Sequence, residues 1–259
     1  MRPYLNTGIL NSIRFNFTGK GCHKMSSEIG TVEEISSTTS QSGLVIFLHG
    51  SGDTGSGAKA WVEMLMGERM AFRHLKVMFP TAPLRPYTPL NGELSHVWFN
   101  RVSIRPDVPE ELQTIEPMAK EINKFIEQQV ANGTPLNRII LGGFSMGGAM
   151  ALHVGYRYIP GLAGIFTLSS FLNEKSVVYD DLQKRKECGK ASAMPPLFMC
   201  HGERDDLVRV GWGEETLNRL TSLGVTAEFH RFPNMLHELK KKELEMLYSW
   251  INGLVKNDK

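Results

Sequence analysis

The sequence predicts an α/β fold in which a mostly parallel, doubly wound sheet is flanked by helices. Three observations carry this. Short apolar runs recur at Leu44 to Leu48, Leu75 to Phe79, Arg138 to Phe144, Gly164 to Ser169, Leu197 to Cys200 and Ala227 to Phe232. Near-continuous apolar character implies burial on both faces, as parallel strands require. Longer amphipathic stretches alternate with these runs, and Gly and Asn punctuate their ends.

In chain order, residues 26 to 43 form a polar lead-in rich in Ser, Thr, Gly and Glu, so the ordered unit is expected from about Leu44. Residues 1–43 are accordingly expected to be a partly flexible N-terminal extension and residues 44–259 a single domain, since 259 residues suit one α/β core. Helices are expected at Ala58 to Met66, Pro117 to Val130, Met146 to Tyr158, Trp212 to Leu223 and Glu238 to Leu254. Pro117 suits a first helical turn, while Asn132-Gly133 and Gly224 supply left-handed stops. Pro80, Pro83, Pro86 and Pro89 fall at three-residue spacing, the period of a polyproline II edge, and read as a rigid loop.

Composition excludes some functions. Twenty-nine basic against 27 acidic residues leave a net charge of +2, too weak and dispersed to argue for nucleic acid. The apolar runs are strand-sized, so no integral membrane segment is expected. Cys22, Cys188 and Cys200 lack metal-ligand spacing and suit a reducing compartment. No metal or cofactor is expected. Residues 1 to 27 contain no Asp or Glu but carry Arg2, Arg14, Lys20 and Lys24, so a mitochondrial transit peptide stands as an alternative to a cytoplasmic location. An extra strand near Ile9 to Phe17 is the plainer explanation. Asn16-Phe17-Thr18 is read as a chance sequon.

The strongest chemical signal is Gly143-Phe144-Ser145-Met146-Gly147, set between the apolar run Ile139 to Gly142 and a small-residue helical stretch. A strand, sharp turn and helix around G-x-S-x-G is the nucleophile elbow of the α/β-hydrolase fold, with Ser145 as nucleophile. No Gly-Lys-Ser/Thr follows, which sets aside a phosphate loop. A seryl hydroxyl needs a base oriented by an acid, and in this fold the order is serine, acid, histidine. His153 lies on the helix after the elbow, His201 ends a strand, and His230 sits inside one. His237, in the loop after the last strand, is the base. Asp180 and Asp181 read as a solvated helix face. Asp205 is the preferred acid, in the loop after the strand ending at Cys200, and Asp206 competes with it. Two backbone amides are needed for a developing oxyanion. Met146 supplies one, and Ser51, in the early loop His49 to Asp53, the other. His49 and Asp53 are expected to shape that loop. Leu90 and Trp98 are candidates for lining an acyl pocket.

Taken together, the stretches Phe47 to Gly55, Pro80 to Pro83, Gly142 to Gly148, His201 to Asp205 and Phe232 to Glu238 resemble the acyl-protein thioesterase and lysophospholipase family across roughly Leu44 to Leu254. The resemblance implies hydrolysis of acylated-protein thioesters or small acyl esters, without a cofactor, in the cytosol. It also implies Asp205 over Asp206, because that family's acid stands third after the His-Gly pair. Ser51 and Met146 depart from the family's usual residues, but both act through backbone amides. A lysophospholipase, a peptidase and a non-catalytic binding protein on the same fold remain competing functions.

Overall fold

The computed structural model describes residues 28–67, 71–188 and 194–257. The expected targeting segment, the strand near Ile9 to Phe17, the sequon and Cys22 lie outside the described residues.

A seven-stranded sheet runs through the molecule, built from β1 (Val32–Ile35), β2 (Gly43–Leu48), β3 (Leu75–Pro80), β6 (Ile139–Phe144), β7 (Gly164–Leu168), β8 (Leu197–Gly202) and β9 (Ala227–Phe232). Their order across the sheet is β1-β3-β2-β6-β7-β8-β9. Every neighbouring pair is parallel except β1 against β3. A separate antiparallel pair joins β4 (Leu84–Tyr87) to β5 (Glu93–His96). β2, β6, β7 and β8 are buried along their whole length, as their apolar runs predict. β9 is a half-exposed edge strand, because it has a partner on one side only.

Helices cover both faces. α2 (Leu112–Ala131), α3 (Met146–His153), α4 (Val177–Glu187) and α5 (Val210–Ser222) pack on one face, with Ile115, Ile122, Met150, Leu182 and Leu220 in a single apolar cluster. α1 (Gly55–Met66) and α6 (Lys241–Leu254) pack on the other through Ala58, Val62, Leu244, Leu247 and Ile251. None of these helices is long and apolar enough to cross a membrane.

Three expectations are corrected. The sheet starts at Val32 rather than near Leu44, because β1 completes the hydrogen bonding of β3 and buries Ile35. Pro117 lies in the second turn of α2 rather than its first, and only the single bond its missing N–H would have made to Gln113 is lost. The proline-spaced segment, expected as a rigid loop, is largely ordered structure: Pro80 ends β3, while Pro86 and Pro89 fall in the β4–β5 hairpin, turned by Asn91 at φ 55° and Gly92 at φ 84°. The stops work as predicted, with Gly133 at φ 100° and Gly224 at φ 97°. α3 ends earlier than expected and passes into a π-helical turn, Val154–Tyr158.

Candidate active site

The elements that carry the triad candidates and the early glycine loop deliver them to the carboxyl edge of the parallel sheet, where this architecture presents chemistry. Ser145 follows β6, Asp205 follows β8, His237 follows β9, and the loop His49 to Asp53 follows β2.

Ser145 sits at φ 52° and ψ −118°, a conformation side chains rarely adopt, held by its N–H donating to Leu168 O at 2.8 Å. The flanking glycines make the bend sterically possible. A Cβ on Gly147 would lie 2.2 Å from Leu48 O and 2.6 Å from His49 O, and one on Gly143 would lie 2.2 Å from Leu48 O. The turn therefore lifts the hydroxyl above the sheet at the start of α3.

His237 Nε2 lies 3.0 Å from Ser145 Oγ, and its Nδ1 lies 2.7 Å from Asp205 Oδ2. A carboxylate can only accept, so Nδ1 carries the proton and Nε2 is left to accept from the seryl hydroxyl. The imidazole packs on Phe144 with ring centroids 4.8 Å apart, and Trp61 meets the same phenyl edge-on at 5.4 Å. That packing fixes the ring from its side.

Asp205 is buried, and its second oxygen accepts from the amides of Leu207 at 3.1 Å and Val208 at 2.7 Å. Asp206, the competing acid, is exposed. His201, set aside above as a base, anchors this loop: its Nε2 donates to Val208 O at 2.7 Å and stands 3.6 Å from Asp205 Oδ2. Burial holds the His201 imidazole below its ordinary pKa, so it serves as a neutral donor. A histidine closing a strand just before the acid loop is the signal that marks this supporting role. The acid and base loops are themselves clasped together. Arg204 N donates to Met235 O at 3.0 Å and Glu203 N to Phe232 O at 3.0 Å, and a Cβ on Gly202 would strike Met235 O at 2.2 Å.

The opposite wall is the loop after β2. Gly50 lies against the nucleophile, its Cβ position 3.6 Å from Ser145 Cβ. Ser51 occupies the exposed corner of a turn closed by Asp53 N on Gly50 O at 3.3 Å, with Gly52 N on His96 O at 2.9 Å. Met146 is the first residue of α3, where a helix leaves its N–H groups unpaired. His49 shapes the loop from within: Nδ1 donates to Gly50 O at 2.6 Å and Nε2 accepts from Ala82 N at 3.0 Å. Burial lowers its pKa, which suits the neutral ring this pattern needs. Asp53 accepts from Thr54 N at 2.7 Å, and Thr54 caps α1.

Of the two pocket candidates, Leu90 is 46% exposed near the hairpin tip. Trp98 is different. Its indole is wholly shut off from solvent and donates from Nε1 to His49 O at 2.9 Å, so it braces the loop from behind rather than lining an open pocket. Asp180 and Asp181 lie on α4 away from the serine, and Asp181 pairs with Arg157 at 2.9 Å.

The arrangement can support nucleophilic acyl transfer: a positioned hydroxyl, an imidazole of fixed tautomer and the start of α3 beside them. Comparisons with known proteins point the same way. Residues 30–255 match the model of the Phospholipase/Carboxylesterase family. The chain is 49% identical over 217 residues to the mouse lysophospholipase-like protein 1, covering 84% of this chain and 89% of that one. It is 33% identical over 219 residues to acyl-protein thioesterase 1 homolog 2 of Dictyostelium discoideum, covering 84% and 95%. The crystal structure of Zea mays acyl-protein thioesterase 2 superposes with a TM-score of 0.74 at 23% identity, over 87% of this chain and 99% of that one, which speaks to the fold. A match across nearly the whole described sheet, together with these relatives, means that this chain belongs to the Phospholipase/Carboxylesterase family of α/β-hydrolases and is a serine hydrolase of esters or thioesters.

Proposed function

We propose that the chain cleaves acyl thioesters of proteins, or small acyl esters, through a covalent acyl-enzyme on Ser145. The observation that carries this is the continuous line from Ser145 Oγ to His237 Nε2 at 3.0 Å and from His237 Nδ1 to Asp205 Oδ2 at 2.7 Å. His237 takes the seryl proton as Oγ attacks the acyl carbon, and Asp205 stabilises the resulting imidazolium. The tetrahedral oxygen is received by the amides of Ser51 and Met146. Collapse expels the thiol or alcohol, protonated by His237. Water, deprotonated by the same ring, then releases the acid and frees Ser145.

The acylated-protein substrate is supported by the Dictyostelium relative, a thioesterase by name. A cytoplasmic setting is supported by the free thiols of Cys188 and Cys200. The acyl group is proposed to enter beside the β4–β5 hairpin, past Leu90.

The test is covalent labelling by a fluorophosphonate together with turnover of matched thioester and oxyester substrates. Ser145→Ala should abolish labelling and lower kcat by about 10⁴-fold or more. Equal labelling of the variant, or unchanged turnover, overturns the proposal. A series of acyl lengths then measures the pocket, since each methylene held in an apolar channel contributes about 0.8 kcal/mol.

A further inference from the structure

Arg101 is the one guanidinium placed among the buried residues of the described chain, with 8% of its surface exposed. It is held between two aromatic faces, Phe99 at 4.8 Å and Phe171 at 5.4 Å from its central carbon. Its Nε is shut off from solvent and meets no acceptor, and among the described residues the guanidinium makes no ion pair. The carboxylate whose charge reaches it, Glu110, is directed elsewhere, to His153 Nε2 at 3.2 Å and Val177 N at 3.1 Å. A buried cation with aromatic faces but no anion and an Nε that meets no acceptor is costly, and a bound anion would complete it.

The surroundings tie this cation to the nucleophile. The Tyr87 hydroxyl is shut off from solvent without a hydrogen bond and lies near Arg101 and Ser51: burial raises its pKa, and those two neighbours pull against that. Ser51 adjoins Gly50, which lies against Ser145. On the other flank, Phe171 follows Leu168, whose carbonyl holds the Ser145 amide, by three residues. Arg101 is thus one side chain removed from Ser51 and packs on a segment that begins where Leu168 holds the Ser145 amide.

We infer that Arg101, walled by Phe99 and Phe171 and backed by Tyr87, is a specificity-determining residue that binds a small anionic group, a carboxylate or phosphate, carried by the substrate beside its scissile carbonyl. Arginine stays charged when buried and presents a planar fork that matches such an anion in two-point contact. The anion could be carried on the acyl chain or on the leaving group. The inference rests on the hydrolase reading above.

The test compares kcat/KM for anionic substrates and their neutral isosteres in two arms. In one arm the charge is on the acyl side, p-nitrophenyl hydrogen glutarate against the p-nitrophenyl glutaramate. In the other it is on the leaving group, para-carboxyphenyl butyrate against para-carbamoylphenyl butyrate. The wild type should prefer the anionic member of one arm by about tenfold or more, the scale of a charge-assisted hydrogen bond, and the arm that responds identifies the source. Arg101→Gln should cut that ratio by about tenfold, and Arg101→Lys by less. A wild type with no anionic preference in either arm overturns the proposal without any variant, which keeps the test decisive if Arg101→Gln fails to fold. An unchanged ratio in a folded variant overturns it as well. Failure of the wild type to label with fluorophosphonate or to turn over any of the four esters would sink the hydrolase reading, and this subsite with it. A labelled, active enzyme indifferent to charge sinks the subsite alone.

Discussion

His237 can accept a proton at Nε2 only while Nδ1 keeps its own, and Asp205 Oδ2 at 2.7 Å is the group that enforces this. Asp205→Asn offers a donor where the ring requires an acceptor, so the imidazole should turn to the other tautomer and present an N–H to Ser145. The expected result is a loss of about 10⁴ in kcat with the fold retained, read by ester turnover beside circular dichroism. Asp206→Asn, at an exposed position, is the matched control and should leave turnover within about twofold. Equal effects of the two substitutions would remove Asp205 from its proposed role. The candidates Ser145 and His237 were legible in sequence because chain order and loop position narrow the choices sharply, whereas the preference for Asp205 over Asp206 came from the family resemblance. Trp98 was not legible, because only the tertiary structure puts its indole behind the His49 carbonyl instead of in a pocket. Arg101 went unread for the same reason: nothing local distinguishes a buried arginine from a solvated one.

At the scale of elements, the elbow is a collision avoided. β6, the start of α3 and the end of β2 approach so closely that the Gly147 Cβ position falls 2.2 Å from Leu48 O and 2.6 Å from His49 O, both backbone atoms that cannot swing aside. Gly147→Ala must therefore push α3 away from β2. It should cost about 1–3 kcal/mol of stability and slow fluorophosphonate labelling of Ser145, measured by chemical denaturation and timed labelling. Labelling and stability equal to wild type would mean that the bend tolerates a side chain. The same contrast explains which elements sequence reveals. The central strands announce themselves because burial on two faces demands unbroken apolar runs such as Ile139 to Leu141. β1 does not, since Val32–Ile35 includes two glutamates and gains its stability by pairing with β3. The hairpin was hidden by Pro86 and Pro89, although Asn91-Gly92, both at positive φ, is a turn signal within it. Pro86 is tolerated there because β4 is bonded along one edge only.

For the molecule as a whole, the most informative titration lies under α6. Glu243 is fully buried; one oxygen accepts from Lys240 N at 2.8 Å and the other meets no partner. Burial dominates, pushing its pKa from 4.5 to about 8, so the native state holds this carboxyl neutral at pH 7. The unfolded chain releases that proton near pH 4.5. Between these values the folded state binds one more proton than the unfolded state, and stability must fall as pH rises. The contribution of Glu243 is therefore complete below about pH 4.5, declines from there and is lost once pH passes about 8. Glu243→Gln keeps an acceptor for Lys240 N without the titration. Its melting temperature relative to wild type should climb steadily between pH 5 and pH 9, roughly the window set by the two pKa values, isolating this group from carboxylates that titrate in both proteins. A difference that stays flat across that window would mean that Glu243 is ionised in the native state. Because α6 begins four residues beyond His237, and Leu244 and Leu247 fasten it to the sheet, loss of this neutral carboxyl should loosen the base loop at alkaline pH before the rest of the core. Hydrogen exchange at Leu244 and Leu247 should accordingly quicken between pH 7 and pH 9, beyond its intrinsic base dependence, in the wild type and less in Glu243→Gln.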